Sequence, residues 1–137
     1  MTAPQHPIYN MSKEEILSQL LRKECGYYKA ILEITRLENE KLEHGHPLSE
    51  IRPLLEKKKI LLSCINEIDS ALSPLKKYWI NKTDRSDKFS QQVKAEVSDL
   101  NDIVKAILQQ DLTAQKMLET QLHIFREKQK KELAAIS

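Results

Sequence analysis

The sequence predicts an all-α fold, a bundle of three long helices joined by short polar connections. Residues 54–79 repeat apolar side chains at alternating steps of four and three, the spacing with which a helix buries a narrow seam against partner helices. The 137 residues include only two glycines and five prolines, and 31% are charged, so helix formers dominate over turn residues. No run alternates apolar and polar residues as strands do.

The first helix is predicted over residues 12–43, after a flexible segment at residues 1–11. Ser12 and Glu15 have the spacing of a capping box at a helix start. Gly45 followed by Pro47 predicts the helix end, because glycine adopts the left-handed conformation and proline cannot continue a helix. Gly26, inside the helix, costs ~1 kcal/mol relative to alanine and either permits a close helix approach or has no packing role. One face carries the apolar residues Ile16, Leu17, Leu20, Leu21, Tyr28, Ile31 and Leu42.

The second helix is predicted over about residues 53–80, with its start between Ser49 and Pro53 and with Pro53 in its first turn, where proline is tolerated. Pro74 should kink it without ending it, because the apolar repeat keeps its phase beyond that proline. Trp79 either packs against another helix or, beside Lys76 and Lys77, anchors a membrane surface; its seam phase favours packing. Lys58 interrupts a seam made of Leu54, Leu61, Ile65, Ile68, Leu72, Leu75 and Trp79.

The third helix is predicted over residues 87–133, with Ser86 as its N-cap. A polar residue, Asp111, occupies one seam position, and a break there would shorten the helix. The remaining seam positions are Phe89, Val93, Val97, Leu100, Val104, Ile107, Ala114, Leu118, Leu122 and Phe125.

The predicted helices differ in length, at ~48, ~42 and ~70 Å for a rise of about 1.5 Å per residue. Folded as one antiparallel up-down-up bundle or coiled coil over residues 12–137, the last helix is the longest and outruns its partners by ~20 Å. Residues from about Leu118 onward therefore lack intramolecular cover. Unless the helix bends back to bury them, the apolar side chains there predict a protein-binding surface.

The candidate partner-binding residues lie in this C-terminal stretch, where the apolar face widens as internal partners end. Met117 and Ile124 lie off the main seam and extend it. The candidate set is Met117, Leu118, Leu122, Ile124 and Phe125.

Composition and motifs predict no enzyme, no metal site and no cofactor. His44 and His46 flank a glycine without the three or four convergent ligands that zinc needs. A net charge of +2 is too small for a nucleic-acid binder, although residues 126–131 lean basic. No segment reaches the roughly 20 apolar residues of a membrane span. Two isolated cysteines, Cys25 and Cys64, and no signal peptide favour a cytoplasmic protein.

The organisation resembles that of the FlgN family of flagellar chaperones for hook–filament junction proteins. The likeness spans roughly residues 12–130. It lies in the leucine-rich opening helix that closes at residues 42–48, in residues 51–68, and in residues 107–118 followed by Leu122.

The resemblance implies a cytoplasmic chaperone without ATPase activity. It would bind a terminal helix of hook-associated export substrates and deliver them to the flagellar type III export apparatus. Such a protein would have protein partners and would be a monomer or dimer. The alternative from the heptads alone is a structural homo-oligomeric coiled coil, whose last helix pairs with its own copy.

Overall fold

The computed structural model describes residues 11–136, except for the side chain of Gln121. These residues form three α-helices and no strand: α1 at Lys13–Glu43, α2 at Leu48–Asn81 and α3 at Lys88–Ile136. The all-α prediction is confirmed, and α3 is the longest helix, with 49 residues against 31 and 34. The flexible segment predicted at residues 1–11 lies outside the described residues, apart from Met11.

Contacts between side chains establish the up-down-up order. Glu38 near the end of α1 lies 3.3 Å from Lys58 near the start of α2, so these helices are antiparallel. Arg22 of α1 lies 3.1 Å from Glu96 of α3, which runs parallel to α1. Helix α1 is the shared partner, because α2 and α3 pack along it far more than along each other.

The core follows from the apolar repeats that the sequence carries. Its centre, where all three helices meet, is the cluster Leu17, Leu21, Ile68, Leu72 and Val93. Trp79 is half-buried against this cluster, which confirms that it packs against helices. Gly26 permits no close approach, since a Cβ there would meet nothing within 4 Å.

Both ends of α1 have the predicted caps. The Ser12 hydroxyl accepts the Glu15 amide at 3.1 Å. At the other end Gly45 has a φ of 71°, and the amides of Gly45 and His46 bond the carbonyls of Leu42 and Lys41 at 3.2 and 2.9 Å. This is the Schellman arrangement, in which a left-handed glycine satisfies the last carbonyls of a helix.

Helix α2 begins at Leu48, one residue before the predicted range of 49–53, so the boundary given at residue 53 is wrong. Pro47 occupies the N-cap position, and its carbonyl accepts the Glu50 amide at 3.0 Å. Pro53 therefore lies inside the helix, where it removes one backbone hydrogen bond. Burial of Ile51 and Leu54, which are 4% and 8% exposed, offsets that loss. The helix also continues through Pro74 as predicted, to Asn81.

Ser86 is not the N-cap of α3, contrary to prediction. The Asp87 carboxylate accepts the Ser90 amide at 2.8 Å, which is the N-cap hydrogen bond. Ser86 instead donates its amide and hydroxyl to Asp84, at 3.1 and 2.7 Å. The acidic side chain is also the better cap here, because it faces the positive end of the helix dipole.

Candidate partner-binding surface

Helix α3 continues without a break past Asp111 and beyond the end of α1. Every described side chain from Leu118 to Ile136 is exposed. We call residues 118–136 the overhang; its length is about 28 Å at 1.5 Å per residue. The prediction that cover ends near Leu118 is confirmed, and the alternative of a helix that bends back is wrong.

Burial along the seam of α3 decreases toward the overhang but not evenly, since Val97 is already 37% exposed. Val93 is fully buried, Val104 and Ile107 are half-buried, and Leu118 is 47% exposed. The seam loses its partner at the end of α1, although its apolar repeat continues. Beyond the end of α1, the apolar pattern of the sequence therefore continues, whereas the contacts with other helices of the chain do not.

The overhang carries an apolar stripe, which we define as Leu118, Leu122, Phe125, Leu133 and Ile136; Ile124 lies to one side of it, about 120° round the helix from Leu118. Leu122, Ile124 and Phe125 are 47%, 62% and 55% exposed. Burying one such side chain fully is worth about 1.5–3 kcal/mol, so several of them together can anchor a partner helix. Of the candidate residues, Leu118, Leu122 and Phe125 lie on this stripe, and Ile124 lies beside it.

Met117, the fifth candidate residue, lies at the base of the overhang and is half-buried. It lines a cleft of about 440 Å³ between the end of α1 and the side of α3. The sequence prediction did not include the remaining lining residues. These are Leu42, Glu43, Thr113, Lys116 and Thr120.

The cleft depends on the register between α1 and α3, which places Leu42 opposite Met117. Thr113, Met117 and Thr120 recur at helical spacing, so periodicity places them on one face. The sequence did not indicate which residue of α1 would lie beside that face. The cleft lies beside the apolar stripe, with Met117 about 100° round α3 from Leu118, and its lining is mostly polar apart from Leu42 and Met117.

At the opposite end of the bundle, a polar cluster links the three helices. The Lys82 ammonium donates to the carboxylates of Glu14 and Asp87 and to the Ser90 hydroxyl. Hydrogen bonds to Glu14 and Asp87 raise the pKa of Lys82, and hydrogen bonds from Ser90 and Lys82 lower the pKa of Asp87. Both groups stay charged near neutral pH, so their ion pair persists there and holds the adjoining helix ends together.

Glu24 and Asp69 place two carboxyl groups together between α1 and α2. Glu24 is 3% exposed. Burial, followed by the hydrogen bond and negative charge of Asp69, raises the pKa of Glu24 from 4.5 to about 7, while Lys76 acts in the opposite direction. The protonation of Glu24 is therefore coupled to the packing of α1 against α2.

The histidines flanking Gly45 make local contacts. His46 bonds the Glu50 carboxylate, and the His44 ring lies 2.7 Å from the Glu40 carbonyl. Among residues 11–136, no group of three or more His, Cys, Asp or Glu side chains is arranged to hold a metal ion. Over the same residues, no helix has the length and apolar character needed to span a membrane.

The chain was compared with protein-family models, curated proteins and solved structures, and none of them matches.

Proposed function

We propose that this protein is a non-enzymatic, cytoplasmic chaperone of the FlgN type. It covers a terminal helix of a flagellar hook-associated protein and delivers that protein to the type III export apparatus. The proposal combines the resemblance in sequence organisation with one structural observation. That observation is the exposed apolar stripe on the overhang, which continues the core seam where α1 no longer covers it.

The stripe suits a helix as partner. Its residues recur at helical spacing along a straight element, so an amphipathic helix can lie against them and complete a bundle. Met117, Leu118, Leu122, Ile124 and Phe125 are the proposed contacts, and the cleft beside Leu42 receives a further side chain. Burial supplies roughly 25 cal/mol per Å² before the costs of association and ordering.

A covering role follows from what the client helix would do when free. The resemblance implies that the client is exported, and a free apolar face on its terminal helix would allow client copies to self-assemble before export. A chaperone that buries the apolar face of such a helix prevents that self-assembly without hydrolysing a nucleotide. Release then requires only competition for the same face.

The test measures binding of the purified chain to hook–filament junction proteins of the same organism by isothermal titration calorimetry. Leu122→Asp should abolish binding, while circular dichroism still reports a folded helical protein. His123→Asp introduces the same charge at the next residue, which is exposed and lies off the stripe, and should bind normally. Truncation after Leu118 should also abolish binding and preserve the fold.

Self-association is the competing function, because the same stripe could pair with a second copy. Light scattering over a range of concentrations distinguishes the two. A tight dimer that Leu122→Asp converts to a monomer, with no affinity for junction proteins, would replace the chaperone proposal with a structural coiled coil.

A further inference from the structure

The distal half of the overhang carries basic residues on both edges of the apolar stripe. At about 100° per residue, Arg126 and Lys130 fall about 80° and 120° to one side of Leu118. Lys128 and Lys131 fall about 80° and 140° to the other side. All four side chains are exposed, so an apolar partner lying on the stripe would have positive charge along both flanks.

The same stretch contains two carboxylates, Glu127 and Glu132, against four basic residues, so an excess of positive charge remains. Lys130 pairs with Glu127 at 3.5 Å, but both side chains are exposed, at 76% and 48%, so solvent screens the pair. Arg126, Lys128 and Lys131 have no ion pair within the described residues. The basic edges are therefore available to a partner.

The proximal half of the overhang, before Arg126, lacks these basic edges. Glu119 lies about 100° from Leu118 and accepts a hydrogen bond from Gln115 at 3.2 Å. The positive edges begin only at Arg126, so the overhang has an apolar proximal part and a part flanked by bases.

We infer that the helix bound by the stripe carries acidic residues on both edges of its apolar face, opposite Arg126–Lys131. This inference rests on the proposed function, because it names the chemistry of the helix that the same surface accepts. Opposite charges at the edges of paired helices select partner and orientation. A client edged with lysines would place like charges together and be rejected.

A protein helix fits the stripe better than a lipid surface does. Gln129 and Glu132 fall about 20° and 40° from the centre line of the stripe, where polar groups would have to enter the acyl region of a membrane. Helix pairs tolerate such seam residues, as the core of this protein shows at Glu38 and Lys58. The overhang also has no tryptophan or tyrosine, the usual interfacial anchors.

The experiment uses the full chain and two synthetic helical peptides with the same apolar face. One peptide carries glutamates and the other lysines at the edge positions, and fluorescence anisotropy measures binding at 50 and 300 mM salt. The acidic peptide should bind about tenfold more tightly at low salt, because four edge pairs each contribute modestly. The difference should shrink at high salt, where surface charges are screened.

Charge reversal of the four edge residues to glutamate (Arg126, Lys128, Lys130 and Lys131) should invert the preference. A control variant reverses four exposed lysines elsewhere and makes a similar change in net charge, so it should retain the preference for the acidic peptide. These control positions are Lys23, Lys29, Lys57 and Lys77.

Two results would overturn the inference about acidic edges. If both peptides bind equally while Leu122→Asp abolishes both, the helix-binding stripe stands and the charge selectivity does not. If neither peptide binds, the helix proposal also fails, and binding of vesicles of anionic phosphatidylglycerol would then assign the basic edges to a membrane surface.

Discussion

The Asn39 side-chain amide donates two hydrogen bonds to Gln110, one to its backbone carbonyl and one to its side-chain oxygen, each of 2.8 Å. Asn39 is 7% exposed, so these bonds lie inside the packing of α1 against α3. Helix α1 ends four residues later, at Glu43, whereas α3 continues for 26 residues beyond Gln110. A slip of α3 would leave the amide unpaired, and so this contact sets where the overhang begins.

Replacing this amide should destabilise the fold. Asn39→Ala leaves the Gln110 side chain without its donor, and we expect a loss of about 1–2 kcal/mol in the free energy of unfolding. Urea denaturation followed by circular dichroism measures it. Glu40→Ala, at an exposed neighbour, is the control, and equal effects of the two changes would mean that the hydrogen bonds do not stabilise the register.

The Lys58–Glu38 ion pair should show opposite effects in single and double variants. Glu38 is 8% exposed and lies 3.3 Å from the Lys58 ammonium. Lys58→Leu leaves a buried carboxylate without its cation, with an expected loss of about 2–4 kcal/mol. The double variant Glu38→Leu, Lys58→Leu should be about as stable as the natural chain or more so. A double-mutant cycle by urea denaturation gives the coupling free energy between the two residues. Additive losses in the double variant would contradict the predicted pairing.

Stability should fall as pH rises from about 4.5 to about 7, because of Glu24. The pKa of Glu24 is about 7 in the folded protein against 4.5 ordinarily, so the folded state holds a proton in this range that the unfolded chain releases. The folded state loses that advantage as pH rises, by at most about 3 kcal/mol. The loss is complete above pH 7.

Glu24→Gln should remove this dependence. The variant should gain about 1–3 kcal/mol at pH 8 and differ little from the natural chain at pH 4.5. Urea denaturation at a series of pH values measures the effect, with the exposed Glu40→Gln as control. A Glu24→Gln curve parallel to that of the natural chain would show that the pKa of Glu24 is the same in the folded and unfolded states.

The two glycines should respond to alanine in opposite directions. Gly26 is helical with open space at its Cβ position, so Gly26→Ala should stabilise by about 1 kcal/mol. Gly45 has a φ of 71°, and Gly45→Ala should destabilise by about 1–2 kcal/mol. Thermal denaturation under one set of conditions compares them, and a stabilising Gly45→Ala would argue against the Schellman cap.

Much of the architecture could be predicted from local patterns. The heptads of α2, the Ser12 cap and the Gly45 terminator are each specified within a few residues. The errors arose where two local signals competed. Pro53 suggested a helix start, although Ile51 was apolar in the same phase, and Ser86 and Asp87 were adjacent cap formers.

The candidate site, too, could be predicted only where its residues belong to one helix. Leu118, Leu122 and Phe125 could be found because a helical repeat is visible in the sequence whether or not a partner covers it. Leu42 and Thr113 in the cleft could not, because they belong to different helices, and their proximity depends on the register that Asn39 and Gln110 maintain.

The sequence by itself determined the helices, their apolar faces and the excess length of the last one, because periodicity, caps and rise per residue are local properties. Only the tertiary structure decided that α1 is the shared partner, that Glu24 meets Asp69, and that Leu42 lies beside Met117. Those features depend on how separate helices align, and long-range contacts between them set that alignment.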